Sequence, residues 1–164
     1  MPKYLIYPLY VAVFAVILAV AVPRKDIYRL SIHGIIFGGA AEFILHMFGK
    51  FTGLYVWYDH GPLGYKGIQI FSPVSWGIFF ILYYYFLPKH KPLNYIYMVI
   101  AIFFSILYTN LVISLGVFYC YDRFFVPLIA FIVWFSVATW GYYKLNNFIE
   151  KKEAIARQEN KYQP

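Results

Sequence analysis

The chain has 164 residues, of which 62% are hydrophobic and only 13% charged. That is about half the charge of an average globular domain, so almost nothing is left over for a soluble one. The net charge of +7 does not indicate nucleic acid, because the basic residues lie at the ends of apolar runs, where they orient a membrane chain and meet anionic headgroups. Cys120, the single cysteine, excludes an internal disulfide framework and a thiolate metal cage, and reads as a packing residue.

Five apolar stretches approach or reach the roughly 20 residues needed to cross about 30 Å of hydrocarbon. They are residues 4–22, 30–48, 70–87, 95–119 and 124–143. The predicted fold is an all-α integral membrane protein. One domain, residues 1–145, forms a bundle of five transmembrane helices, and residues 146–164 form a cytoplasmic amphipathic tail. With five spans, Arg24, Lys25, Arg29, Lys89, Lys91, Lys144, Lys151, Lys152, Arg157 and Lys161 fall on one side, against Lys3, Lys50, Lys66 and Arg123 on the other. The positive-inside rule then puts the N-terminus outside and the C-terminus in the cytoplasm, in a multi-pass protein of the cytoplasmic membrane. The alternative is a cleaved signal peptide over residues 1–21, because Ala19-Val20-Ala21 resembles a cleavage site. Its apolar region is longer than usual and Lys3 makes a meagre basic start.

The first span is aliphatic and reads as a peripheral, lipid-facing helix closed by Pro23. The second concentrates small residues. At about 100° per residue, Gly34, Gly38, Ala41 and Leu45 form one stripe, and Gly34-x-x-x-Gly38 is a close-approach motif for another helix. Self-association or a partner membrane protein is expected to use that face. Glu42 lies on the edge of the stripe and His46 follows at i+4. His33, nine residues before Glu42, falls about 180° around an ideal helix and is assigned to the opposite face.

The connection 49–69 is the longest and is expected to form a wetted outer cap of turns, with Tyr55, Trp57 and Tyr58 at headgroup level. The third span opens with Ser72-Pro-Val-Ser-Trp76 and ends in tyrosines. In the fourth, Asn110 is expected to point inward and bond across helices. Asp122-Arg123 reads as a tight outer turn before the fifth span. The tail carries Leu145, Phe148, Ile149 and Ile155 near helical spacing, with a favourable Glu153–Arg157 pair.

Glu42 is the candidate functional residue, since a carboxyl group in hydrocarbon costs several kcal/mol unless neutralised, paired or wetted. The orientation gathers Glu42, His46, Asp59, His60, Asp122 and Arg123 at the outer mouth. Three readings are open. Glu42 is structural, hydrogen-bonded to Asn110, a serine or a tyrosine; or Glu42 and His46 contact a lipid or isoprenoid headgroup as acid and base; or Glu42 belongs to a proton or metal pathway. Glu-x-x-x-His lacks a known metal-ligand pattern, and no metal ligand or catalytic residue is assigned.

The run Gly53-Leu-Tyr-Val-Trp-Tyr-Asp-His-Gly-Pro-Leu-Gly-Tyr-Lys-Gly-Ile, with Ser72-Pro-Val-Ser-Trp76 and Tyr84-Tyr-Phe-Leu-Pro-Lys89, resembles uncharacterised five-span membrane proteins of spore-forming Gram-positive bacteria. That resemblance implies a cytoplasmic-membrane protein and supplies no catalytic residues. A fainter likeness is to membrane carotenoid-biosynthesis proteins, which also place an acidic residue in a helix ahead of a Gly-x-Tyr-x-Tyr-like loop and a Pro-x-x-Trp span. The expectation is a small non-enzymatic membrane component in contact with the lipid bilayer. An isoprenoid- or lipid-modifying enzyme using Glu42 and His46 is the alternative. No cofactor is specified, and nucleic acid is not an expected partner.

Overall fold

The computed structural model describes residues 3–58, 64–65 and 68–161 and is mostly helical. A short 3-10 turn leads into α1 (Ile6–Ala21). Helix α2 (Arg24–Thr52) is continuous, α3 spans Phe71–Phe86, α4 Lys91–Ser114 and α5 Phe125–Lys161. Strands β1 (Tyr55–Trp57) and β4 (Phe118–Cys120) pair antiparallel, with Tyr55 opposite Cys120 and Trp57 opposite Phe118. Strands β2 (Gly64–Tyr65) and β3 (Ile68–Gln69) also pair antiparallel.

Among the described residues, four helices are long and apolar enough to cross a membrane: Lys3–Ala21, Arg24–Thr52, Pro92–Ser114 and Phe125–Ile149. The distribution of side chains agrees with that setting. Large apolar residues such as Val20 and Phe51 are exposed, whereas His33, Glu42, His46, Gln69, Ser72 and Thr109 are buried. A water-soluble fold does the reverse, because contiguous exposed apolar surface needs an apolar partner. The chain is a membrane protein.

Several boundaries differ from the sequence expectation. Helix α3, with 16 residues, is about 24 Å long, shorter than a full hydrocarbon crossing. It is nonetheless the most enclosed helix, with Phe80 at 0% exposure and Tyr83 at 2%. The fourth apolar run does not stay helical to residue 119. Helix α4 ends at Ser114, Gly116 turns the chain at φ +69°, and the remaining apolar residues form β4. An apolar run alone does not separate a helix end from a buried strand. Helix α2 begins at Arg24 rather than Leu30 and runs on to Thr52, ending on Gly53 at φ +71°. Its polar first turns carry an Arg29–Asp26 ion pair at 3.3 Å. The predicted tail continues α5 as helix, while the side chains of the Glu153–Arg157 pair lie outside the described residues.

The central interface is that between α2 and α3. Residues 34–40 of α2 form a π-helical segment, whose wider turn changes which residues share a face. The buried line becomes Gly34, Gly38, Glu42, His46 and Gly49, instead of Gly34, Gly38, Ala41 and Leu45. Ala41 and Leu45 are only partly buried and pack to the side. The same shift brings His33 onto the buried face, correcting its assignment to the opposite one. His33 sits at the far end of that face, edge-on to Tyr84 and Tyr142. The helices run antiparallel: a Cβ on Gly34 would lie 2.6 Å from the Gly77 carbonyl oxygen, and one on Gly38 would overlap the Trp76 carbonyl. The Gly34/Gly38 face is thus filled within the chain by α3, and is not available to a second copy or a partner. The carbonyl of Phe37, inside the π segment, accepts a hydrogen bond of 2.7 Å from the Trp134 indole on α5.

Aromatic rings on α3 carry the rest of the core. Trp76 lies 4.7 Å from Trp134, Phe80 lies 5.3 Å from Phe135, and Tyr84 stacks on Tyr142 at 4.4 Å, all on α5. Tyr83 stacks on Tyr97 of α4. Helix α1 is peripheral, as its composition implies, but Tyr7 is buried and its hydroxyl reaches the carbonyls of Tyr58 (2.5 Å) and Val117 (2.9 Å).

Two glycines on this interface separate packing from propensity. Gly38→Leu is expected to destabilise the protein by about 1–3 kcal/mol or more by driving α2 off α3. Gly77→Ala, whose new Cβ meets nothing closer than 3.6 Å, is expected to stay within about 0.5 kcal/mol of wild type. Thermal unfolding midpoints in detergent check both; equal midpoints for Gly38→Leu and wild type would remove the close approach as a determinant of the fold.

Candidate functional site

Glu42 comes to the N-terminal turn of α3 because the buried line of α2 runs antiparallel to that helix. The Ser72 hydroxyl donates to Glu42 Oε1 at 2.6 Å, and the Trp57 indole is the second polar neighbour of the carboxyl. Ser72 is held in turn, since its backbone N–H donates to Gln69 Oε1. Both groups at the carboxyl offer donors, and the adjacent helix N-terminus has a positive dipole end, so the site replaces part of the hydration that a carboxylate loses on burial. Among the described residues no lysine, arginine or histidine forms an ion pair with Glu42.

Glu42 also lines a cavity of about 60 Å³. Its other walls are mainly aromatic, with Trp57, Trp76, Tyr108, Phe131 and Trp134 among them. The cavity lies between α2, α3, α4 and α5 beneath the β1–β4 pair. Tyr55 closes one side: its hydroxyl donates to the Leu45 carbonyl, and its ring fills the space left by the missing side chain of Gly49.

The structure brings together only part of the expected constellation. His46 is buried one turn beyond Glu42 on the same face, as its spacing implies. Asn110 does not reach Glu42; its side-chain amide donates to the Ile106 carbonyl of its own helix and to the Arg123 carbonyl at 3.2 Å. It therefore anchors the turn before α5. Asp122 does not join the carboxyl either. Its Oδ1 accepts the backbone N–H of Phe124 (2.8 Å) and Phe125 (2.5 Å), capping α5. Arg123 is exposed beside it. Asp59 and His60 lie outside the described residues. Among the described residues no three His, Cys, Asp or Glu side chains gather as metal ligands.

Ser72, Trp57 and Gln69 are the site residues that composition and spacing do not single out. Ser72 carries a faint signal, since it stands one residue before a proline at a helix start, where a side chain is free to serve a neighbour. Trp57 and Tyr55 are in the loop expected at headgroup level, but the β1–β4 pairing folds them inward. The other titratable groups near the cavity are not poised as nucleophiles. Burial pushes the Cys120 thiol above its usual range, and the Tyr55 phenol far above its own, so both stay protonated at neutral pH. Backbone N–H groups of Phe124 and Phe125 hold the Asp122 carboxyl below the ordinary value of 3.8.

Ser72→Ala leaves the buried carboxyl with one donor fewer and is expected to cost about 1–3 kcal/mol of stability, read as a lowered unfolding midpoint; an unchanged midpoint would make the bond incidental. For Asp122, the depressed folded value means that its cap stabilises the protein above pH 3.8 and is lost as the pH falls through that lower value. Asp122→Ala should therefore lower the midpoint at pH 7 and match wild type well below pH 3.8. Comparison of the chain with protein-family models, with curated proteins and with solved structures finds no match.

Proposed function

We propose that the protein is a non-enzymatic component of the cytoplasmic membrane which holds a small ligand against Glu42. All five helices cross in this reading, with the N-terminus outside and the C-terminus in the cytoplasm. The short α3 needs no full-length hydrocarbon match, because its neighbours shield it and a bilayer thins locally at modest cost. The ten basic residues assigned to one side, against four on the other, support the orientation.

One observation carries the functional reading: a buried carboxyl forms the polar wall of an otherwise aromatic and apolar cavity. A site with convergent polar groups and apolar walls is the usual form of a small-molecule pocket. The chemistry around it favours binding over turnover. The Ser72 hydroxyl holds one carboxyl oxygen, and the Tyr55 and Cys120 side chains nearby are held protonated, so no nucleophile stands beside it.

Glu42→Gln keeps the shape of the carboxyl and removes its charge. Native mass spectrometry of wild type, gently extracted from its membrane, is expected to show a bound small molecule that Glu42→Gln lacks, with folding unchanged. Equal content in the two proteins, or none in either, overturns the binding site. A reporter joined after Pro164 and found outside overturns the orientation.

A further inference from the structure

An apolar groove of about 500 Å³ runs along the outer surface between the second half of α2 and the first half of α5. Ile44, Phe48, Ile129, Val133 and Val137 wall it, and each is at least 54% exposed. The groove adjoins the Glu42 cavity. Leu45, Tyr55, Val126, Ala130 and Trp134 line both spaces. Of these five, Ala130 has the smallest side chain, so a chain passing from the lipid-facing groove toward the carboxyl meets the least bulk there.

The two spaces differ in chemistry. The outer one is apolar and long enough to lie along several helical turns, from Ala41 to Phe48 on one side and from Val126 to Val137 on the other. The inner one, at about 60 Å³, has room for roughly four water-sized groups, enough for a head group but not for a chain. Indole, phenol and phenyl rings surround the carboxyl there. Such rings attract a cation over their faces by about 0.5–2 kcal/mol each, most strongly when water is excluded. The carboxyl accepts the Ser72 hydroxyl, has the Trp57 indole as a polar neighbour, and has no ion-pair partner among the described residues. A cationic head supplies the missing charge. An anionic head meets the carboxyl with like charge, and a hydroxyl head adds a hydrogen bond without the ion pair.

Resting on the reading of the Glu42 cavity as a binding site, we infer that its ligand is a single-chain amine drawn from the bilayer, with its ammonium group beside Glu42 and its hydrocarbon chain in the α2–α5 groove. Entry is lateral, past Ala130, and not through the capped end.

The test uses the full chain in nanodiscs of zwitterionic phosphatidylcholine. In a Trp140→Phe background the three remaining tryptophans, Trp57, Trp76 and Trp134, all line the cavity, so their fluorescence reports its occupancy. Tetradecylamine is expected to give a saturable change, tetradecanol one at least tenfold weaker, and myristate none. Glu42→Gln should abolish the preference for amine over alcohol. Ala130→Phe narrows the passage and should weaken tetradecylamine binding at least tenfold. Val133→Trp fills the groove from a position 57% exposed, leaves the core intact, and should do the same if Ala130→Phe fails to fold; its added indole faces lipid and is read by a matched Val133→Leu control. Equal binding of amine and alcohol by wild type overturns the ligand class. Unchanged amine binding in the folded groove variants overturns lateral entry while the cavity remains a site. Absence of any Glu42-dependent signal with all three probes overturns the inference, and mass spectrometry then decides separately whether another ligand occupies the cavity.

Discussion

The close approach of α2 to α3 governs the placement of everything else. Two glycines, Gly34 and Gly38, let the backbone of one helix lie against Trp76 and Gly77 of the other, in a setting where packing rather than water expulsion holds helices together. That contact sets the depth at which Glu42 meets the start of α3. It also fixes α3 as the hub onto which α5 lays its own rings. The π segment is what makes the contact compatible with a continuous helix. It inserts a wide turn, and the Trp134 indole satisfies the Phe37 carbonyl within it.

Polarity inside the bundle follows from that frame. The buried hydroxyls of Ser105 and Thr109 bond to carbonyls one turn back on their own helix, while Tyr83 bonds to Thr139 and Tyr84 to the Ala138 carbonyl between helices. Most of the interior polar groups thus close local bonds and leave Glu42 as the one acidic side chain among the buried residues described. Its aromatic neighbours make the adjacent cavity largely apolar, and in apolar surroundings the interaction of a charge with its neighbours is strongest.

The membrane class was legible from composition, because exposed apolar helices leave long uncharged runs. Glu42 and His46 on one face were legible as well, since their i+4 spacing falls within regular α-helix. The stripe through Ala41 was not, because it assumes 3.6 residues per turn through residues 34–40, and no residue type announces a π turn. The same cause misplaced His33. The end of α4 was hidden by hydrophobicity: Val117 and Phe118 look like further helix, and only their pairing with β1 makes them strand. Ser72 and Trp57 were found only in three dimensions, because their role depends on chain segments 15 and 30 residues away from Glu42. Asp122 appeared as a turn residue and proved to be a helix cap, which is the same local chemistry seen from the other end.

The pairing of β1 with β4 joins residues 55–57 to residues 118–120, with two helices made between them. During synthesis Glu42 therefore leaves the ribosome and enters the bilayer well before the strand that closes the roof above it exists. Ser72 reaches the carboxyl early, but Phe118, Cys120 and Trp134 arrive only once α4 and the start of α5 have followed. For that interval the acidic side chain has its first donor and no lid. The α5 wall is the last part of the pocket to be built, so the carboxyl faces an open side toward the bilayer until residues 126–134 have followed the roof.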